Sequence, residues 1–130
     1  MLNELALKLL SGALIILATS CTDNFEIRVD NSGNILRFYD GDIISRRSFA
    51  PCLSDLIMYD DSQPQLVVWQ LKARHGCTKV ESVIVGEASA GFVEIVRLDP
   101  TPGMRVYAEA REVASVQPGR WGRSGLWRLK

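Results

Sequence analysis

Residues 66–71, LVVWQL, decide the fold class. The run is short and nearly all apolar, with two valines and a tryptophan, so it predicts a central strand. Residues 80–85, VESVIV, predict a second strand. After a small-residue turn over 87–91, residues 92–97, FVEIVR, predict a third. Asp99-Pro100-Thr101-Pro102-Gly103 is a strong turn signal. In the segment 105–112, RVYAEARE, two signals compete. Met104, Val106, Ala108 and Ala110 alternate with mostly charged residues, as in a strand, whereas Ala, Glu and Arg favour helix. The flanking strands and short turns decide it for strand. Residues 119–130 form a Gly-interrupted final stretch, with Trp127 and Leu129 on one face of a last strand.

Working toward the N-terminus, Phe25, Ile27 and Val29 alternate with Glu26 and Arg28, the period of a half-buried strand. Asp30-Asn31-Ser32-Gly33-Asn34 is a turn cluster, and residues 35–39 complete a hairpin. Asp30, Ser32 and Asn34 have loop-like calcium spacing, without the Gly and closing Glu of an EF-hand loop. Residues 40–63 are irregular, and the shared helical face of Leu53, Leu56 and Ile57 predicts one short helix over 52–59. Six to eight short strands with turns about every 8–12 residues predict an all-β domain, a small β-sandwich or a small open barrel. Leu98, then Pro102-Gly103 before an alternating strand, resembles the E–F corner of fibronectin-type and immunoglobulin-like domains. That resemblance implies an immunoglobulin- or fibronectin-like sandwich. It departs at the corner tyrosine, which would align with Val106 while Tyr107 falls on the other face.

The chain has 130 residues, enough for one domain. Its 15 basic and 15 acidic residues cancel, so no whole-molecule attraction to nucleic acid is expected. The charges are unevenly spread. Residues 21–61 hold eight acids and four bases, and residues 62–130 hold six acids and ten bases. The two halves are expected to pair in the fold, or else to leave a basic end for anionic material.

Residues 9–18, LLSGALIILA, form an apolar run of about ten residues, where a membrane-crossing helix needs roughly 20. Lys8 precedes it, Glu4 weakens the positive flank, and the small residues Ala18, Thr19 and Ser20 follow. This is the pattern of a signal-peptide core. Ala18-Thr19-Ser20-Cys21 resembles the lipobox of bacterial lipoproteins, departing from the commonest form in having Ala rather than Leu three positions before the cysteine. The resemblance implies cleavage before Cys21, a diacylglycerol on its sulfur and acylation of the new amino group. On this reading residues 1–20 are a cleaved signal helix, 21–24 a lipidated cysteine and tether, and 25–130 one β-rich periplasmic domain. Thr22, where inner-membrane retention takes Asp, leans toward the outer membrane. A secreted protein cut near Ser20 with a plain Cys21 thiol is one alternative; an unprocessed first strand or buried helix of a cytosolic domain is the other, disfavoured because residues 9–18 have no polar face for a surface helix to show to water.

With Cys21 lipidated, Cys52 and Cys77 remain, and an oxidising compartment favours a disulfide between them. No two cysteines have CxxC spacing, and His75 is the sole histidine, so neither a redox pair nor a metal site is expected. No G-x-S-x-G, phosphate loop or H-E-x-x-H occurs, and no cofactor, small-molecule substrate or catalytic residue is expected. The last stretch interleaves aromatic residues with cations: Arg120, Trp121, Arg123, Trp127 and Arg128. Trp and Arg are enriched where proteins bind partners, so these five form the candidate binding surface, unless the tryptophans are core and the arginines their wet face. The expected function is a lipid-anchored, non-catalytic module binding another envelope protein. The alternatives are binding of anionic envelope polymer through the basic end, and an inhibitor or immunity lipoprotein.

Overall fold

The computed structural model describes residues 24–30, 34–40, 47–62, 66–98, 101–113 and 119–130. The expected signal segment, Cys21 and the turn at 31–33 lie outside them. Among the described residues the protein is all-β, as the alternating patterns require. Eleven strands follow in order: β1 Phe25–Asp30, β2 Ile35–Asp40, β3 Arg47–Ser48, β4 Cys52–Asp60, β5 Val67–Ala73 and β6 Thr78–Lys79, then β7 Ser82–Ile84, β8 Phe92–Val96, β9 Arg105–Glu112, β10 Trp121–Arg123 and β11 Trp127–Arg128.

They form one mixed sheet in the order β3-β2-β1-β10-β9-β4-β5-β8. Every pairing is antiparallel except β1 with β10, where Phe25 lies opposite Gly122 in parallel register. The sheet turns back on itself through residues 78–84, because β6 pairs with β4 while β7 pairs with β2. One core results, drawn from both halves in a sandwich-like arrangement. Phe25, Ile27, Leu36, Phe38 and Val83 meet Leu53, Leu56, Met58, Trp69, Leu71, Phe92 and Val106. Within β9, Val106, Ala108 and Ala110 point inward, so the alternation over 105–112 outweighs its helix propensity. Trp69 is fully buried, and its indole N–H donates to Glu94 Oε2 at 3.0 Å. The corner tyrosine of the immunoglobulin-like pattern is absent. Val106 is core, and Tyr107 faces outward, stacked on Tyr59 at 5.1 Å.

The helix expected over 52–59 is corrected to a strand. Leu53 and Leu56 are both fully buried, three positions apart, a spacing that a regular strand cannot place on one face. A register shift between Leu53 and Asp55 in the pairing of β4 with β9 supplies the explanation. Ser54 occupies the bulge, its hydroxyl donating to Asp55 Oδ2 at 3.1 Å. One extra residue flips the side-chain parity, so a bulged strand carries the apolar spacing of a helix turn.

Cys52 and Cys77 form the expected disulfide, with Cα atoms 5.2 Å apart, tying the start of β4 to the turn after β5. Acids of the first half also meet bases of the second. Arg120 Nη1 lies 3.0 Å from Asp40, and Arg105 Nε lies 3.5 Å from Asp61.

Candidate interaction surface

Gly122 sets the geometry of β10. It is buried, facing the Phe25 ring, so Trp121 and Arg123 on either side point out of the sheet. Trp121 lies opposite Arg111 and Arg123 opposite Glu109. Tyr107, Glu109 and Arg111 share the outer face of β9, because Val106, Ala108 and Ala110 take the inner one. On β4, Tyr59 lies opposite Tyr107.

These side chains stack in two sets. The Arg111 guanidinium sits 4.6 Å over the Trp121 ring, which is 46% exposed. The Arg123 guanidinium sits 4.8 Å over the Tyr107 ring, which stacks on Tyr59 with an interplanar angle of 21°. Glu109 lies 3.6 Å from Arg123. Burial, then the negative charge of Glu109, raises the Tyr59 phenol above its ordinary pKa, while Arg111 and Arg123 oppose the shift. Cation–π contacts of this kind contribute roughly 0.5–1 kcal/mol at exposed sites and hold flexible arginines in place.

Of the five residues expected to share a surface, the structure brings only Trp121 and Arg123 together on this face. Arg120 is a structural clamp. Its Nε and Nη2 donate to the two carboxylate oxygens of Glu112 at 2.7 and 3.2 Å, and its Nη1 to Asp40 Oδ1 at 3.0 Å. The hydrogen bonds to Glu112, with the further bond to Asp40, hold the guanidinium still more firmly protonated than usual. Arg120 also lies 5.0 Å over the Phe49 ring, joining the β9–β10 hairpin to the end of β2.

Trp127 and Arg128 pair with Val106 and Arg105, at the far end of β9. The four residues from Val106 to Ala110, which faces Gly122, put them roughly 13 Å away along the strand. Arg128 Nη1 donates to the Gly103 carbonyl at 3.0 Å. Trp127 packs against the core, and its Nε1 is enclosed without a hydrogen-bond partner. A buried unmade donor costs about 1–3 kcal/mol. Trp127→Phe removes that donor and is expected to leave stability unchanged or raise it by about 1 kcal/mol. Urea denaturation checks this; a midpoint shifted well downward would show that the lost ring packing outweighs the unmade donor.

Tyr59, Tyr107 and Arg111 are site residues that the C-terminal motif did not reveal. The alternation over 105–112 contains two of them, since it assigns every odd position to the wet face. Tyr59 was hidden by the helix reading. A separate cavity of about 360 Å³ lies at the other end of the domain, with Val85, Leu98 and Leu129 in its lining and Arg97 and Lys130 beside them. Among the described residues of that lining, Glu87 carries the carboxylate side chain. Among the described residues, no three His, Cys, Asp or Glu side chains converge as metal ligands. Comparison with protein-family models, with curated proteins and with solved structures found no match to this chain.

Proposed function

We propose that the chain is a lipid-anchored, non-catalytic protein-interaction module of the cell envelope. It is attached through Cys21 and faces the periplasm from the outer membrane. The lipobox-like sequence supports the anchor. The outward stack of Tyr59, Tyr107 and Arg123 supports the binding role. It presents flat, pre-ordered aromatic area beside a cation that is 65% exposed, on a rigid sheet. Such side chains lose little conformational freedom on binding, and Tyr and Arg dominate the energetics of protein interfaces.

The polymer-binding reading has less support. Of its three arginines, Arg120 spends its charge on Glu112 and Asp40 within the domain, Arg123 shares its charge with Glu109 at 3.6 Å, and Arg128, at the far end of β9, is drawn back onto the Gly103 carbonyl, so the three do not form one basic patch.

Photo-crosslinking in living cells tests the proposal. A photoreactive phenylalanine analogue placed at position 59 or 123 is expected to capture the same envelope protein. At position 84, an exposed residue of β7, it should capture none. Combining Tyr59→Ala with an analogue at position 123 should weaken the adduct by at least about tenfold, as expected for loss of a hot-spot contact. Adducts that are identical at all three positions, or absent at 59 and 123, would sink the proposal.

A further inference from the structure

The pairing of the first strand with β10 fixes which end of the domain meets the membrane. We infer that the strand ends around Trp121 dock on an anionic lipid surface, with Trp121 at the headgroup level. The inference rests on the lipid at Cys21 proposed above. Four residue steps separate Cys21 from Phe25, and a chain spans at most about 3.6 Å per step, or roughly 14 Å in all. Phe25 lies opposite Gly122 in parallel register, so Trp121 starts the neighbouring strand at the same end. Adjacent strands are about 5 Å apart, which keeps Trp121 within roughly 20 Å of the acylated residue. A lipid inserted in the bilayer therefore holds this end of the sheet at its surface.

The topology brings other groups to the same end. The strands β4 and β10 both run antiparallel to β9, so Cys52 begins at this end, and Lys79 pairs opposite it. Arg74 follows the last residue of β5 here, and the disulfide holds Cys77 beside Cys52. Arg47, Arg74, Lys79 and Arg111 are all exposed. Asp40 and Glu112 are engaged by Arg120, and Asp55 lies opposite Arg111. With Lys72 opposite Asp55, Glu94 opposite Leu71 and Glu81 two positions from Lys79, six cations and five acids leave this end at a net charge of +1 among the described residues, its exposed cations being Arg47, Lys72, Arg74, Lys79 and Arg111. Val113, 46% exposed and bonded through its N–H to the Cys52 carbonyl, adds apolar area at this end. Tryptophan seeks the membrane interface, where its ring is shielded and its N–H stays wet. Basic side chains held against an anionic surface add about 1 kcal/mol each.

The test uses the protein purified from membranes and reconstituted in phosphatidylethanolamine–phosphatidylglycerol vesicles with brominated acyl chains, which quench nearby indoles. Wild-type emission should fall on bromination, and that loss should disappear in Trp121→Phe, since Trp69 is buried and Trp127 lies at the far end of β9. Phosphatidylcholine vesicles should quench Trp121 less. Quenching that is unaffected by Trp121→Phe overturns the docking, and equal quenching in phosphatidylcholine overturns its dependence on anionic headgroups. The intact mass of the same preparation separates the two readings. An acylated mass without Trp121 quenching removes the docking and leaves the anchor standing. An unacylated mass removes both.

Discussion

Replacing Cys52 and Cys77 together by serine is expected to lower the stability of the domain by about 3 kcal/mol, through the unfolded state. The bridge spans 25 positions, and closing a loop of that length removes about this much conformational freedom from the denatured chain. The native fold should survive the change. The start of β4 is also held by pairing with β6 and by a hydrogen bond from the Val113 N–H to the Cys52 carbonyl at 3.0 Å. For a domain of this size, the loss corresponds to a fall in Tm of roughly 10–20 °C. Thermal unfolding followed by far-ultraviolet circular dichroism, with and without a phosphine reductant, provides the measurement. The double variant should melt early and ignore the reductant. The wild type should descend to the same midpoint once reduced. Coincident midpoints for the oxidised wild type and the variant would refute the stabilising role of the bridge.

Gly122→Ala should be about as damaging, for the opposite reason. A Cβ at this position would lie 1.9 Å from Cε2, 2.3 Å from Cδ2 and 2.5 Å from Cζ of Phe25. The ring has little room to retreat. Phe38 and Phe49 meet it edge-on at centroid separations of 6.1 and 5.6 Å. Overpacking a filled core costs typically 1–3 kcal/mol, and this site belongs at the upper end, because the displaced group sits at the junction of β1 and β10. A second variant isolates the cause. Phe25→Val deletes all three of the clashing ring atoms, so Gly122→Ala in that background should cost less than about 1 kcal/mol. Urea unfolding of the four proteins gives the coupling energy. Additive losses would mean that glycine is required for its backbone rather than for the ring.

The strands were legible in the sequence wherever the period of two was unbroken. Phe25-x-Ile27, Leu36-x-Phe38 and Val106-x-Ala108-x-Ala110 each place their apolar residues in the core. The disulfide followed from counting cysteines. Strand β4 was misread because its bulge at Ser54 leaves buried residues three apart, and periodicity alone cannot distinguish that from a turn of helix. The segment over 80–85 proved shorter than its apolar run, with β7 confined to Ser82–Ile84. The Val80 N–H instead bonds the Pro51 carbonyl at 3.1 Å.

The candidate surface was half legible, for a related reason. Local composition flags tryptophan and arginine, but not which arginine is already engaged. Asp40, which takes Arg120, lies 80 positions away in the chain. Only the tertiary structure separates this clamp from the exposed Arg123. Tyr59 and Tyr107 likewise become neighbours solely through the pairing of β4 with β9.

The parallel join between β1 and β10 also dictates when the molecule can finish folding. Strand β1 has β2, its neighbour in the chain, on one edge, but its other edge waits for β10, far along the sequence. Such long-range closure slows folding, because the entropy of a large loop is lost before any contact rewards it. Until β10 is in place, Phe25 has no Gly122 to cover it, and β9 lacks its neighbour on that side. The domain is thus open to handling by other factors until these two distant strands have met.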